Sequence, residues 1–294
     1  MTDPSAGASK SQISGYAAAK INLFLHVTGR REDGYHELDS LVAFTAIGDQ
    51  VSVALAETIS LNIDGPFGDG LPVDDDNLVL AAARMFAEEI GYEKGAAITL
   101  QKNLPVSSGI GGGSADAAAT LHRLNQLWGA DLSSGALVTI GLRLGADVPV
   151  CLLSATARMR GIGEMIEPVA PLPRLGVLLI NPGVAVSTPQ VFKARQGAFS
   201  ALVDEPVPDD SYKFCEFLRR QKNDLEAPAI ELVPVIASVL TVLSGQKGCC
   251  LARMSGSGAT CFGLFDDEAA AQSAHREIAK AHPEWWVQAT RFLD

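Results

Sequence analysis

At 294 residues the chain is long enough to bury a sizeable core without metal or disulfide staples, and roughly 150 residues per domain suggests two units. Hydrophobic residues at 47% and charged residues at 19% exclude general disorder. The formal charge of −11, with no basic stripe beyond Gly29-Arg30-Arg31 and Arg219-Arg220, argues against a nucleic acid polymer or an anionic membrane as main partner.

Residues 1–12 read as a disordered leader without an apolar signal segment. No apolar run approaches the ~20 residues that span a bilayer, so a soluble, cytoplasmic protein is expected. The pattern from Ile13 to Ile63 is strand-like, with strands expected at 21–27, 41–47, 51–55 and 59–63 and a polar loop over 29–37. Asn77 is placed to cap a helix that runs to Gly91, and 97–101 reads as a further strand. A glycine-rich segment follows, then a helix carrying Leu121, Leu124 and Leu127 that ends at Gly129, where glycine accepts the left-handed conformation. Ser133 can cap the next helix, which stops near Gly145.

Pro168, Pro171 and Pro173 cluster about where a second domain should begin, which divides the chain into 13–168 and 169–294. The second part reads as a strand (175–180), a helix (188–195), an acidic loop (204–210), a helix (212–221) and a long apolar helix (229–244). Strands at 250–254 and 260–265, a helix at 267–282 and a strand at 286–292 complete it. Strands come in groups rather than in strict alternation with helices, which favours α+β. Five cysteines, an odd count with no C-x-x-C spacing, read as small buried apolar residues rather than a zinc site or a disulfide framework.

The strongest local signal is Gly109-Ile110-Gly111-Gly112-Gly113-Ser114 between a strand and a helix. Glycines let the backbone curl, and a helix start offers unpaired N–H groups and a partial positive charge, which together suit phosphate. It is neither a Walker A loop, for want of Gly-Lys-Ser/Thr, nor a G-x-G-x-x-G fingerprint. The bland alternative is a tight turn, against which three consecutive glycines opening an apolar helix weigh. Ser255-Gly256-Ser257-Gly258 reads on its own as a hairpin connection, and gains interest only if it faces the first loop. Asp147, before Pro149 and after Gly145, looks like a helix N-cap. Lys20 is a lone cation in an apolar strand, where facing solvent is the default. Tyr35-His36 is a surface turn or a flat platform for stacking a base, and the residues alone leave both open.

These segments together resemble the GHMP kinase superfamily: Ala19-Lys20-Ile21-Asn22 through Gly34-Tyr35-His36, then 105–115, then Leu144-Gly145-Ala146-Asp147-Val148-Pro149, then Ser255–Gly258. The likeness runs from about Gly15 to the end. The glycine loops are general to the superfamily, whereas the 20–36 stretch resembles one branch, whose acceptor is a cytidine-diphosphate-linked methylerythritol of the non-mevalonate isoprenoid route. The resemblance implies a two-domain α+β fold, ribosomal-S5-domain-2-like then ferredoxin-like, with the site between the domains. It implies transfer of the γ-phosphoryl of ATP, with Mg²⁺ alongside, to the acceptor's 2-hydroxyl, by a monomer or homodimer.

By resemblance Asp147 is the base and Lys20 the cation beside it. The ATP phosphates fall to Pro105, Val106, Ser107, Ser108, Gly109, Ile110, Gly111, Gly112, Gly113, Ser114 and Ala115. Asn22, Tyr35, His36, Phe192, Gly256 and Gly258 fall to the acceptor, and no side chain is assigned to the metal. Two departures stand out. Ser107-Ser108 replace glycines frequent in the family loop, and Ala115 stands where a second Ser is common. A sister kinase of another small alcohol would lack the Tyr35-His36 loop, and a non-catalytic sensor would have lost Lys20 or Asp147.

Overall fold

The computed structural model describes residues 12–74 and 76–293. The expected leader lies outside them except for Gln12. Two sheets are present among the described residues. In the first, β1 (Ile13–Arg30) pairs antiparallel along the length of β2 (His36–Ala56). The other edge of β2 takes β5 (Ala157–Gly161) near its start and β4 (Gly95–Gln101) near its end. Outside these lie β6 (Met165–Pro168) beside β5, and β3 (Ser60–Asp64) parallel to β4. The second sheet is antiparallel in the order β10 (Trp286–Arg291), β7 (Gly176–Asn181), β9 (Cys261–Phe265), β8 (Cys249–Met254). That order, with helices after β7 and β9, is the split β-α-β-β-α-β arrangement.

Helices α1 (Leu78–Ile90), α2 (Gly112–Trp128), α3 (Ser134–Leu144) and α4 (Val148–Leu153) cover one face of the first sheet. Their boundaries follow the expected caps. Asn77 accepts from Val79 N–H, Ser133 accepts from Ala136 N–H, and Gly91 and Gly129 end their helices in the left-handed region. Helices α5 (Thr188–Ala194), α7 (Glu226–Leu232), α8 (Val235–Ser244) and α9 (Glu268–Ala281) gather around the second sheet, while α6 (Ser211–Arg219) packs by β8. Among the described residues no helix is long and apolar enough to cross a membrane.

Four expectations need correction. The strands at 41–47 and 51–55 are one, because Gly48 is not a turn but a point of close approach: a Cβ there would lie 2.2 Å from the Ala17 carbonyl oxygen. The expected helix over 229–244 breaks at Pro234, which has no N–H to continue the ladder, giving α7 and α8. The short β5 and β6 were not anticipated, since four or five residues carry little periodicity. Cys215 and Cys250 are joined as a disulfide, Cα atoms 6.4 Å apart, where separate thiols were expected. The packing of α6 against β8 brings them together across 35 residues, a separation with no sequence signature.

The two sheets share a core. Ile21, Leu23, Phe24 and Leu41 of the first pack with Val177, Leu179, Phe262 and Leu264 of the second, and Phe214 and Phe217 of α6 complete the cluster. The buried Arg253 of β8 ties the halves together. Its guanidinium donates to the carbonyls of Leu23 (2.7 Å), Leu218 (2.9 Å) and Gln221 (2.7 Å). Burial lowers its pKa to about 10, still charged at neutral pH. Replacing it with leucine strands three carbonyls, so Arg253→Leu should lower unfolding free energy by about 3 kcal/mol or more. Urea denaturation checks this, and a loss below about 1 kcal/mol would mean the tie carries little.

Candidate active site

β1 is irregular where it matters. Its register against β2 shifts between Ala18 and Lys20 and again between Asn22 and Phe24. Such bulges re-aim side chains, and Lys20 and Asn22, two apart, come out on one face. Lys20 is buried at 3% exposure, against the default of a solvent-facing strand residue. Its Nζ donates to Asn22 Oδ1 and to Asp147 Oδ2, each at 3.1 Å. Asn22 is oriented for this by donating Nδ2–H to Ser40 Oγ at 2.8 Å, and Ser40 in turn donates to the Phe24 carbonyl at 2.6 Å.

Asp147 does stand at the head of α4, with Pro149 in the first turn, yet it does not cap. Its backbone is helical (φ −86°, ψ −13°) and its side chain bonds no helix N–H. The carboxylate turns to Lys20 instead, and with the side chain 36% exposed it keeps one side open. A carboxylate held by one buried ammonium and otherwise open can accept a proton from a bound hydroxyl.

The glycine loop lies against Lys20 and lines the same cleft as Asp147. Lys20 N–H donates to the Ile110 carbonyl at 3.0 Å. Gly109 (φ +74°) and Gly111 (φ +65°) are both left-handed. A Cβ on Gly109 would lie 2.5 Å from the Ser255 carbonyl oxygen, and one on Gly111 would lie 3.0 Å from Lys20 Cε. α2 begins at Gly112 with no side-chain cap, while Gly112, Gly113 and Ser114 line the cleft. Uncapped first-turn N–H groups facing a cleft suit the oxygens of a phosphate.

The second glycine cluster does face the first. Ser255 Oγ donates to the Gly109 carbonyl at 2.9 Å and accepts from Asn22 N–H at 3.1 Å, and Thr260 N–H donates to the Ser108 carbonyl at 3.0 Å. Asn223 Nδ2 holds the turn from behind, donating to the Met254 and Gly256 carbonyls at 2.8 Å each.

At the other end of the cleft His36 stacks on Phe192 of α5, ring centroids 5.1 Å apart and planes 22° from parallel. The Tyr35 ring is 63% exposed beside them. Burial, then the charges of Arg30 and Arg195, lower the His36 pKa, so at neutral pH its ring has one donor and one acceptor nitrogen. Arg30, Lys193 and Arg195 line this end, opposed only by Asp33, among the described residues.

The whole is a cleft of about 1530 Å³. Lys20, Asn22, Tyr35, His36, Ser107, Gly109, Asp147, Phe192, Gly256 and the 111–114 run reach it. Pro105, Val106, Ser108, Ile110, Ala115 and Gly258 do not line it. Gly258 has its own reason to be glycine: φ is +88°, and a Cβ would lie 2.7 Å from Met254 Sδ. The three cations were missed as site residues. Arg30 registered only as part of a basic pair, and nothing marks Lys193 and Arg195 except their closeness to Phe192 in the chain. Among the described residues no three His, Cys, Asp or Glu side chains gather as a metal site.

Comparison with known proteins finds relatives that match along nearly the whole chain. The family profile of the GHMP kinases N terminal domain matches residues 77–155, and that of the GHMP kinases C terminal matches 212–284. The chain is 53% identical over 279 residues to the 4-diphosphocytidyl-2-C-methyl-D-erythritol kinase of Cereibacter sphaeroides, covering 94% of this chain and 98% of that one. It is 50% identical to the same enzyme of Paramagnetospirillum magneticum, over 94% and 97% of the two chains. A crystal structure of 4-(cytidine 5'-diphospho)-2C-methyl-D-erythritol kinase superposes with a TM-score of 0.78 at 35% identity, covering 96% of this chain and all of that one. Homoserine kinase from Cytophaga hutchinsonii shares the fold, with a TM-score of 0.76 at 20% identity over 97% and 96% of the chains.

The loop geometry is testable without any ligand. Gly111 is left-handed and pressed on Lys20, so Gly111→Ala should cost about 1–2 kcal/mol. Gly113 is helical and its Cβ position meets only Leu78 Cδ1 at 3.6 Å, so Gly113→Ala should be neutral or stabilise by up to about 1 kcal/mol. Equal effects in thermal melts would contradict the loop conformation.

Proposed function

The chain belongs to the GHMP kinases, in the family of 4-diphosphocytidyl-2-C-methyl-D-erythritol kinases, and on that premise we propose how it phosphorylates its acceptor. The reaction moves the γ-phosphoryl of ATP onto the 2-hydroxyl of 4-diphosphocytidyl-2-C-methyl-D-erythritol. Phosphoryl transfer asks a protein mainly for alignment and charge stabilisation. The observation that carries the reading is the Lys20–Asp147 pair at 3.1 Å, set where the glycine loop meets the cleft.

Asp147 takes the proton of the acceptor hydroxyl as the oxygen attacks phosphorus. Lys20 holds the carboxylate in place through its bond to Oδ2 and offsets negative charge on the reacting oxygens. Asn22 Oδ1 and the Ile110 carbonyl hold the lysine's ammonium and backbone in place. The uncapped start of α2, with Ser114 at its third position, receives the β- and γ-phosphates. With no three-carboxylate metal cluster among the described residues, Mg²⁺ fits here as an ion brought in on the phosphates, with the Ser107 and Ser114 hydroxyls and Asp147 as the oxygen groups at hand. Bound there, it would supply positive charge against the phosphates during transfer.

The cytosine end falls to the Tyr35, His36 and Phe192 group. The exposed Tyr35 ring offers a stacking face, while the neutral imidazole of His36 offers hydrogen bonds to a base edge. Arg30, Lys193 and Arg195 supply positive charge for the acceptor's diphosphate, while the glycine loop serves the phosphates of ATP.

Coupled ADP release with the diphosphocytidyl substrate, beside galactose, homoserine and mevalonate, tests the reaction. Only the first should turn over. Asp147→Asn should lose about 10²-fold or more in kcat with near-normal substrate binding, and Lys20→Met should lose turnover while staying folded. Because the side chain makes no capping bond, a fall in activity cannot be charged to a frayed α4. An active Asp147→Asn protein would sink the base assignment.

Base selection gives a second test. Cytosine presents an acceptor at N3 and a donor amino group at C4, and uracil reverses both. A matched site leaves two groups unpaired with uracil at ~1–3 kcal/mol each, up to ~10⁴-fold in discrimination. The uridine analogue should therefore be a very poor substrate. His36→Ala should narrow the preference, and Tyr35→Ala should weaken both substrates alike. Equal use of the two analogues by the unaltered protein would refute the His36 role.

A further inference from the structure

Directly beneath the glycine loop lies a buried charge cluster that the transfer chemistry does not use. Asp49 of β2 is fully buried, Lys102 is 3% exposed and Asp116 of α2 is 2% exposed. Lys102 Nζ bonds Asp49 Oδ2 and, at 2.7 Å, Asp116 Oδ2. The second oxygen of Asp49 accepts from the backbone N–H groups of Asn103 (2.5 Å) and Leu104 (2.8 Å). The Lys102 backbone is itself fixed, donating to the Asp64 carbonyl at 2.7 Å and accepting from Phe67 N–H at 3.1 Å.

The placement is specific. Residues 102–104 lead into the loop and Asp116 lies just beyond its exit, in the second turn of α2, so the cluster joins the loop's two ends through space. A Cβ on Gly112 would come within 3.1 Å of Lys102 Nζ, which puts the ammonium against the first residue of the helix. Stability alone does not call for this arrangement. Two carboxylates and one ammonium out of water are costly, and apolar residues of similar volume usually do as well or better. Nor is the cluster fully satisfied, since Asp116 Oδ1 is buried without a hydrogen-bond partner. Burial raises the Asp116 carboxyl to about 7, while the two carboxylates outweigh burial at Lys102 and raise its pKa.

We infer that the Asp49–Lys102–Asp116 bridge is a clamp that fixes the separation of the glycine loop's ends, making these three positioning residues for the nucleotide. The inference rests on the kinase reading only for the identity of the ligand. Lys102 closes the bridge, Asp49 sets the entry strand's height through its two backbone bonds, and Asp116 sets the first turns of α2. None of the three lines the cleft, so their effect passes through the loop.

Asp116→Asn tests the clamp, because it keeps the shape and the Lys102–Asp49 pair while weakening the helix arm. Calorimetry with ATP alone should show affinity falling by about ten-fold or more, with affinity for the diphosphocytidyl acceptor kept within about two-fold. Amide hydrogen exchange should quicken across 105–111 and stay unchanged in α1. Lys102→Met is read the same way should the first variant fail to fold. Unchanged ATP affinity, or equal weakening of both ligands with faster exchange throughout, would overturn the clamp. So would failure of both variants to fold, which would assign the bridge to the fold as a whole. If the unaltered protein does not bind ATP, the kinase reading falls instead, and the exchange data still judge the clamp.

Discussion

One hydroxyl joins the pieces of this site. Ser255 Oγ accepts from the backbone of β1 at Asn22 and donates to the glycine loop at Gly109. Three segments far apart in sequence, at Asn22, Gly109 and Ser255, thereby meet at a single atom. The close contacts around it explain the glycines better than flexibility does: Gly109 and Gly256 are small because each presses on the other's loop. With that meeting point fixed, the bulge in β1 can deliver Lys20 to Asp147 rather than to solvent.

Charge is distributed against the average of the molecule. A chain of formal charge −11 lines its cleft with Lys20, Arg30, Lys193 and Arg195 against only Asp33 and Asp147, among the described residues. Lys20 and Asp147 answer each other, which leaves a positive surplus at the end bearing the aromatic group. An acidic exterior with a locally cationic cleft focuses anions inward while discouraging nonspecific binding of polyanions. Two polyphosphates in one site would otherwise repel each other strongly.

Much of the architecture was legible because local rules agreed with tertiary structure. Asn77, Ser133, Gly91 and Gly129 mark their helix ends by their own chemistry, and the loop–helix junction at Gly111–Gly113 declares itself by composition. Two misreadings are local, the helix break at Pro234 and the brevity of β5 and β6, while the others depend on a neighbour distant in sequence. The strand runs on through 48–50 with Ala17 of β1 close against Gly48, and Cys215 finds Cys250 only through the packing of α6 on β8. Asp147 carries every local mark of a cap, and only Lys20, far upstream, turns its carboxylate elsewhere. Arg30, Lys193 and Arg195 illustrate the limit most plainly, since a surface cation and a cleft cation look alike in sequence.

The apolar layer shared by the two sheets has a consequence for turnover. Phe24 and Leu41 on one side and Phe262 and Leu264 on the other belong to a single packed cluster, and a hinge between the halves would have to open it to water. Parting the two halves would therefore cost the burial of these side chains, so the scaffold favours holding the reactants on halves that stay packed together. The exposed Tyr35, by contrast, belongs to none of the packed clusters, so a ligand could displace its ring at the cleft without disturbing them.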